Sequence, residues 1–327
     1  MSILVTGGAG YIGSHTVKYL RSLNKDVVVL DDLSKGHREA VLDAPLYVGS
    51  IQDGDLIDSI CNKHHVTGVI HFAAYSLVGE SVKEPIKYYE NNVCGTLSLV
   101  KSLLRNDVKK IVFSSTAAVY GEPERVPILE SDKTVPTNPY GDTKLSIEAM
   151  LKWAYEAYGM SSVSLRYFNA AGADPEGLIG EDHSPETHLI PLVLAAALGK
   201  RESITIFGED YPTKDGTCIR DYIHVMDLAS AHYLALKKLD ESEGAFVYNL
   251  GNGEGFSVRE VIDVAEEVTS ITIPKVIGER RKGDPAVLVA SQEKAERELG
   301  WERQYSSLAQ IIEDAWKWHK AHPDGYK

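Results

Sequence analysis

The chain has 327 residues, a formal net charge of −13 and an apolar fraction of 43%. That length accommodates two domains, or one with a large appendage, and the acidic balance argues against sequence-independent binding to nucleic acid or an acidic membrane. Three widely spaced cysteines, Cys61, Cys94 and Cys218, make neither a disulfide framework nor a metal knuckle.

Along the first half, short apolar runs alternate with amphipathic ones. "ILVT" (3–6), "VVVL" (27–30), "LYV" (46–48), "VIHF" (69–72), "IVFSS" (111–115) and "VSLRYF" (163–168) are predicted strands, mostly apolar on both faces. Helical patterns over 53–64, 84–105 and 143–158 lie between them, the last stopped by Gly159. Such alternation predicts a parallel, doubly wound sheet covered by helices, with ligands beyond the strands' carboxyl ends. From Asn169 the regularity fades into Gly- and Pro-rich loops, a helix near 188–199 and a terminal helix near 306–320. The expected division is 1–168 for a nucleotide-binding domain and 169–327 for a smaller α/β substrate domain, with 218–242 able to return to the first. "LIPLVLAAALG", the longest apolar run, is too short to span a bilayer. The opening "MSILVTGG" has no charged or cleavable leader pattern, so a cytoplasmic location is expected.

Residues 5–13, "VTGGAGYIG", leave the first strand and enter the first helix. Gly8, Gly10 and Gly13 satisfy one dinucleotide fingerprint, and Gly7, Gly10 and Gly13 a looser one. Glycines there allow a tight turn and let backbone N–H groups approach a pyrophosphate at a helix N-terminus. An acid is expected about 20 residues further on, and Asp31 and Asp32 stand there. Two carboxylates accept a ribose diol and repel a 2′-phosphate, which favours NAD over NADP. The fold expectation is therefore a Rossmann-type sheet.

In "NPYGDTK" (138–144), Tyr140 and Lys144 stand one helical turn apart. Thr116 closes the preceding strand's "SST" and offers a hydroxyl near the same edge. A free tyrosine has a pKa of about 10, too high for a base at neutral pH. Bringing it near neutrality requires roughly 3–4 kcal/mol of stabilisation of the phenolate. The Lys144 ammonium and a positive nicotinamide ring are the expected sources. Catalysis is thus assigned to Tyr140, Lys144 and Thr116.

"TGGAGYIGSH", "HFAA", "NNVCGT", "FSSTAAVYG", "NPYGDTK", "LRYFNAAGA", "DGTCIRDYIHVMDLASAH", "YNLGNG" and "RRKGDPA" follow in order along nearly the whole chain. As a set they resemble the extended short-chain dehydrogenase/reductase family, and within it the enzymes that epimerise UDP-hexoses at carbon 4. The resemblance implies reversible oxidation at that carbon by tightly held NAD, a 4-keto sugar that turns over, and return of the hydride to its other face. It implies interconversion of UDP-galactose and UDP-glucose, in galactose metabolism. It places Gly7, Gly10, Tyr11, Ile12 and Gly13 at the pyrophosphate. Asp31, Asp32, Leu33 and Ser34 fall around the adenosine ribose, and Ser50 and Ile51 near the adenine. Phe72, Ala73, Ala74, Asn91, Lys144 and Phe168 follow along the cofactor. Asn169, His188, Leu189, Phe207, Arg220, Arg281 and Asp284 match uridine diphosphate contacts, and Leu288 a position that governs N-acetylated sugars.

Several positions depart from the family pattern. Ser50 stands where an aspartate is usual, Ser76 where a lysine is common, and His188 where an asparagine is common. Leu288 leaves acceptance of N-acetylhexosamines open. A 4,6-dehydratase, the nearest rival, needs an acid and a base beside the threonine, where this chain has Ala117 and Ala118. A silent nucleotide-binding protein would not need Tyr140 and Lys144. No metal site is expected. His64 and His65 lack zinc spacing, and His71 reads as a satisfied strand residue. His183 reads as an ordinary exposed histidine, and Trp153, Tyr155 and Tyr158 as helix packing. The expected assembly is a homodimer through helices 84–105 and 143–158, using Tyr88, Val93, Leu97, Leu145, Ala149 and Trp153.

Overall fold

A computed structural model describes residues 2–281 and 284–327, so Lys282 and Gly283 of the "RRKGDPA" motif lie outside the described residues. The expected strands are β1 (Ser2–Thr6), β2 (Asp26–Asp31), β3 (Leu46–Val48), β4 (Val66–His71), β5 (Lys110–Ser114) and β6 (Ser161–Tyr167). A seventh, Ala245–Leu250, pairs with β6. The sheet runs from Ala245–Leu250 through β6, β5, β4, β1 and β2 to β3, with every pair parallel.

Both faces of this sheet are covered, and the strand residues alternate between two apolar cores. Val5, Val27, Val29, Ile70, Val112 and Val163 face helix α1 (Tyr11–Ser22) and helix Val225–Glu241. Leu4, Val28, Leu30, Val69, Ile111 and Phe113 face helix α2 (Gly54–His64), helix Gly95–Arg105 and helix Pro139–Tyr158. Burial on both sides is why the strands read as unbroken apolar runs.

The chain winds outward from β1 to β3, then crosses back to β4 on the other side of β1. Loops leaving the carboxyl ends of β1 and β4 therefore diverge, which opens a crevice between them. The glycine loop follows β1, "FAA" follows β4 and Thr116 follows β5.

Two helices differ from expectation. The helix expected over 143–158 starts at Pro139, because Asn138 caps it by accepting from Gly141 N (2.9 Å) and proline suits the first position. The pattern over 84–105 is helical without a break from Pro85 to Arg105, but it is not α-helical throughout. A wider π turn, Tyr89–Cys94, lies within it between the α-helical Pro85–Tyr88 and Gly95–Arg105. That turn carries the buried Asn92, whose amide bonds the backbone N and O of Tyr75 (2.9 and 3.1 Å).

Small sheets complete the molecule. Tyr222–His224 pairs with Asn169–Ala171, Lys275–Gly278 with Ile204–Phe207, and Ile219–Arg220 lies between Phe256–Ser257 and Val287–Leu288. Helices Leu189–Ala197, Val258–Thr269 and Leu308–Ala321 share a separate apolar core. Among the described residues, no helix is long and apolar enough to cross a membrane.

Candidate active site

The glycine loop is closed against the loop after β4. Gly7 adopts φ +72°, and a Cβ there would lie 2.5 Å from Ala73 N. A Cβ on Gly13 would lie 2.1 Å from the Gly7 carbonyl oxygen. Gly10 caps α1 without a side chain, so the helix's first N–H groups face the loop uncovered. Tyr11 donates to the Gly172 carbonyl (2.7 Å), which ties the loop to the second half of the chain.

Asp31 is buried at the end of β2, its two oxygens accepting Ala9 N (2.9 Å) and Leu33 N (2.8 Å). It shapes the glycine loop and the bend after β2, where Leu33 takes φ +58°. Burial raises its pKa, opposed by those two hydrogen bonds. Asp32 is exposed and accepts both Ser34 N and Ser34 Oγ. Ser50 Oγ accepts Gln52 N (3.1 Å) in a turn, and Ile51 is buried against Gly95. Phe72 and Ala73 both donate to the Thr6 carbonyl, which brings them over the glycine loop; Ala74 and Asn91 are half-buried beyond them.

At the end of β5, Thr116 Oγ1 accepts Ala118 N (3.1 Å), and its hydroxyl stands near enough to that of Tyr140 to lower the phenol's pKa. Lys144, only 3% exposed, donates to the Ser114 carbonyl (2.8 Å). Its ammonium lies 4.9 Å from the Phe113 ring centre and 5.8 Å from that of Tyr140. Thr116, Tyr140 and Lys144 thus meet at one strand end. Burial pushes the Tyr140 phenol up to about 12, only partly opposed by Thr116, and pulls Lys144 down to about 7. Without a bound cofactor, desolvation is the larger influence on both groups.

Beyond these lie residues from the second half. Asn169 donates from its amide to the Asp221 carbonyl (2.9 Å). Arg220 is salt-bridged to Asp284, and Arg281 covers the Phe207 ring at 4.1 Å. Leu288 and Phe168 pack on Ala117, Val119, Tyr120 and Ile128, immediately after Thr116. His188 caps the helix that Leu189 begins.

Other residues fall differently. His71 is satisfied as expected, by Thr6 (2.6 Å) and Thr96 (2.9 Å). His183 is not an ordinary exposed histidine: it faces Glu181 at 3.2 Å and Glu186 at 3.5 Å. His188 faces the same carboxylates at 2.9 and 2.8 Å. Although burial opposes it, this pairing raises His183 to about 9 and His188 to about 10. Trp153 and Tyr158 do not pack within the chain but are 70% and 62% exposed. Tyr88, expected at the surface, is buried with its hydroxyl on Leu77 O and Glu80.

Sequence reasoning missed a buried network. Arg166 grips both oxygens of Glu148 (3.0 and 2.5 Å), and Ser115 donates to the same carboxylate (2.5 Å). It joins β6, the tyrosine's helix and the threonine's loop. Its only sequence signal is an arginine inside an apolar strand.

The model of the NAD dependent epimerase/dehydratase family matches residues 3–251. The chain belongs to that family. It is 63% identical over 326 residues to a UDP-glucose 4-epimerase of Halalkalibacterium halodurans, covering all of this chain and 98% of that one. A crystal structure of a UDP-glucose 4-epimerase superposes with a TM-score of 0.98 at 52% identity, covering all of both chains. The Bifidobacterium longum enzyme in complex with NAD⁺ and UDP gives 0.94 at 40% identity, again over all of both chains.

Proposed function

We propose that this chain is an isomerase that interconverts UDP-galactose and UDP-glucose by inverting carbon 4, with NAD as a regenerated cofactor, in galactose metabolism. The observation that carries this is the meeting of Thr116, Tyr140 and Lys144 at the end of β5 beside the glycine loop. That site belongs to a chain aligned end to end with UDP-glucose 4-epimerases.

NAD fits the residues present. The Gly7–Gly13 loop leaves no room for a Cβ, and the head of α1 offers free N–H groups to a pyrophosphate. Gly10, Tyr11, Ile12, Asp31, Asp32, Leu33 and Ser34 hold the adenosine diphosphate half, with Ser50 and Ile51 near the base. Phe72, Ala73, Ala74, Asn91, Lys144 and Phe168 hold the rest. When bound, the nicotinamide takes a hydride from carbon 4 and gives it back to the opposite face. Tyr140 takes the proton of the carbon-4 hydroxyl and later returns it. Thr116 donates a hydrogen bond to the phenolate, and Lys144, held on Ser114, keeps a positive charge within reach when protonated. Arg220 and Arg281 neutralise the diphosphate, with Asp284 holding Arg220 in place. Asn169, His188, Leu189 and Phe207 complete the uridine diphosphate contacts. Firm anchoring there leaves the keto sugar free to turn.

Residues 1–168 serve the cofactor and 169–327 the UDP-sugar, with 218–242 returning to the first unit and strand Ala245–Leu250 joining its sheet beside β6. The packing of Val225–Glu241 on α1 and the big sheet supports that division. The active form is a homodimer, supported by exposed Val82, Ile86, Leu97, Trp153 and Tyr158 on adjoining helical segments. Three free cysteines suit the cytoplasm.

Purified protein given UDP-galactose without added cofactor equilibrates it with UDP-glucose. Unchanged UDP-galactose sinks the proposal, and a stable keto sugar points to a dehydratase, which Ala117 and Ala118 cannot serve. Leu288 lies against the wall that follows Thr116, so a parallel assay with UDP-N-acetylgalactosamine reads whether leucine admits the larger sugar.

A further inference from the structure

The loop entering helix Leu189–Ala197 gathers four donor side chains, of which His188 alone is also assigned a uridine diphosphate contact and the other three have no role in the reaction. Glu181, His183, Glu186 and His188 each offer one atom, and these atoms all lie within 4.8 Å of one another. We propose that this quartet is a structural site for a divalent transition-metal ion, zinc above all.

The distances fit. Zinc bonds of about 2.0–2.2 Å in a tetrahedron put neighbouring ligand atoms about 3.3–3.5 Å apart. His183 Nδ1 lies 3.2 Å from Glu181 Oε1 and 3.5 Å from Glu186 Oε2, and His188 Nδ1 lies 2.9 Å from Glu181 Oε1 and 2.8 Å from the other Glu186 oxygen, Oε1. A widening of about half an ångström on one side would seat the ion. Two imidazoles with two carboxylates suit zinc better than magnesium or calcium, which take oxygen donors.

The donors are also held in advance. Glu181 is buried. One oxygen of Glu186 accepts the backbone N–H groups of Thr187 (2.6 Å) and His188 (2.7 Å), which aims the carboxylate inward. Lys35 grips the Ser184 carbonyl (2.9 Å) and His37 the Asp182 carbonyl (3.1 Å), so the loop is anchored from outside. Most telling is His183. Its Nδ1 is buried and faces both carboxylates, yet makes no well-aligned hydrogen bond. With an ion between them, that unpartnered nitrogen would bond the metal in place of facing two carboxylates. Among the described residues, no other set of three or more such donors converges in this way.

Without an ion, two protonated imidazoles would balance two carboxylates. The experiment separates that salt-bridged quartet from a metal centre. Protein carrying its bound cofactor is treated with a chelator, dialysed against low-micromolar zinc chloride, and its metal content measured. Expected is one zinc per chain, lost in His183→Ala and in Glu181→Gln. Removing a ligand should cost at least the about 10–100-fold in affinity that removing a ligand's own partner costs. Cobalt(II) in place of zinc should give the strong visible absorption of a tetrahedral site, absent from both variants. Glu186→Gln, which keeps shape and volume, serves if either variant fails to fold by circular dichroism. Substoichiometric zinc in the unaltered protein overturns the proposal. So does equal zinc retention in the folded variants, which would mark adventitious binding by other histidines.

Discussion

Tyr140 illustrates how burial works against the ionisation that its spacing from Lys144 favours. Four residues from a lysine, the phenol looks easy to ionise. In the folded chain, desolvation leaves it at about 12 and Lys144 at about 7. A bound cationic cofactor then has to provide the balance, which couples chemistry to cofactor loading. Tyr140→Phe should lower turnover of UDP-galactose by about 10²–10⁴ while the protein still retains NAD, read from absorbance and an end-point assay. Near-normal turnover would remove Tyr140 from the mechanism. Lys144 makes a stability prediction. Its folded pKa lies below its ordinary value of 10.5, so between about 7 and 10.5 the unfolded chain binds more protons. The stability tied to its neutral form is therefore present above that window and lost as pH falls through it. Cofactor-stripped Lys144→Met should melt higher than the parent near pH 7, the gap closing towards pH 10. A pH-independent gap would mean Lys144 is not desolvated.

Helix Pro139–Tyr158 carries the tyrosine and lysine, and its start fixes where they point. Asn138 and Pro139 set that start, and Gly159 ends the helix at φ +67°. Asn138→Ala should cost about 1 kcal/mol of stability and reduce turnover, because the first turn holds Tyr140. Gly159→Ala, far from the site, should cost a similar about 1 kcal/mol with turnover unchanged. Equal losses of turnover in the two variants would show that the cap does not position the tyrosine. These helix ends were readable from residue type, since Asn-Pro and Gly act locally. The π turn at Tyr89–Cys94 was not readable, because it depends on Asn92 reaching the backbone of Tyr75 across the fold.

Titrating groups across the protein pull its stability in opposite directions. Burial lowers His15 to about 4, His71 to about 3 and His232 to about 4. Their contribution is lost as pH falls below about 6.5, at up to about 1.4 kcal/mol per pH unit for each. His183 and His188 act oppositely, contributing fully below about 6.5 and losing it as pH rises through about 9–10. Melting temperature should therefore peak near pH 6.5 and decline on both sides in metal-free protein, checked by calorimetry; a level profile from pH 6.5 down to 4.5 would contradict it. The exposed Trp153 bears on assembly. It belongs with exposed Val82, Ile86, Leu97 and Tyr158 on adjoining helical segments, and in the proposed dimer Trp153→Glu should yield a monomer by light scattering. A parent protein that is monomeric at micromolar concentration would refute the dimer.

The sheet, its cofactor loop and the Thr116–Tyr140–Lys144 set were legible in the amino acids, because strand runs, glycine turns and helix caps are local chemistry. Asp31 was placed correctly at the end of β2, but only the fold shows both its oxygens held by Ala9 and Leu33. The Arg166–Glu148–Ser115 network, the Arg220–Asp284 pair and the surface placement of Trp153 all depend on which distant segments meet. So do the ionisation states of Tyr140, Lys144 and His183. How strongly a charge is favoured depends on how much water the surrounding chain excludes, and no window of neighbouring residues contains that information.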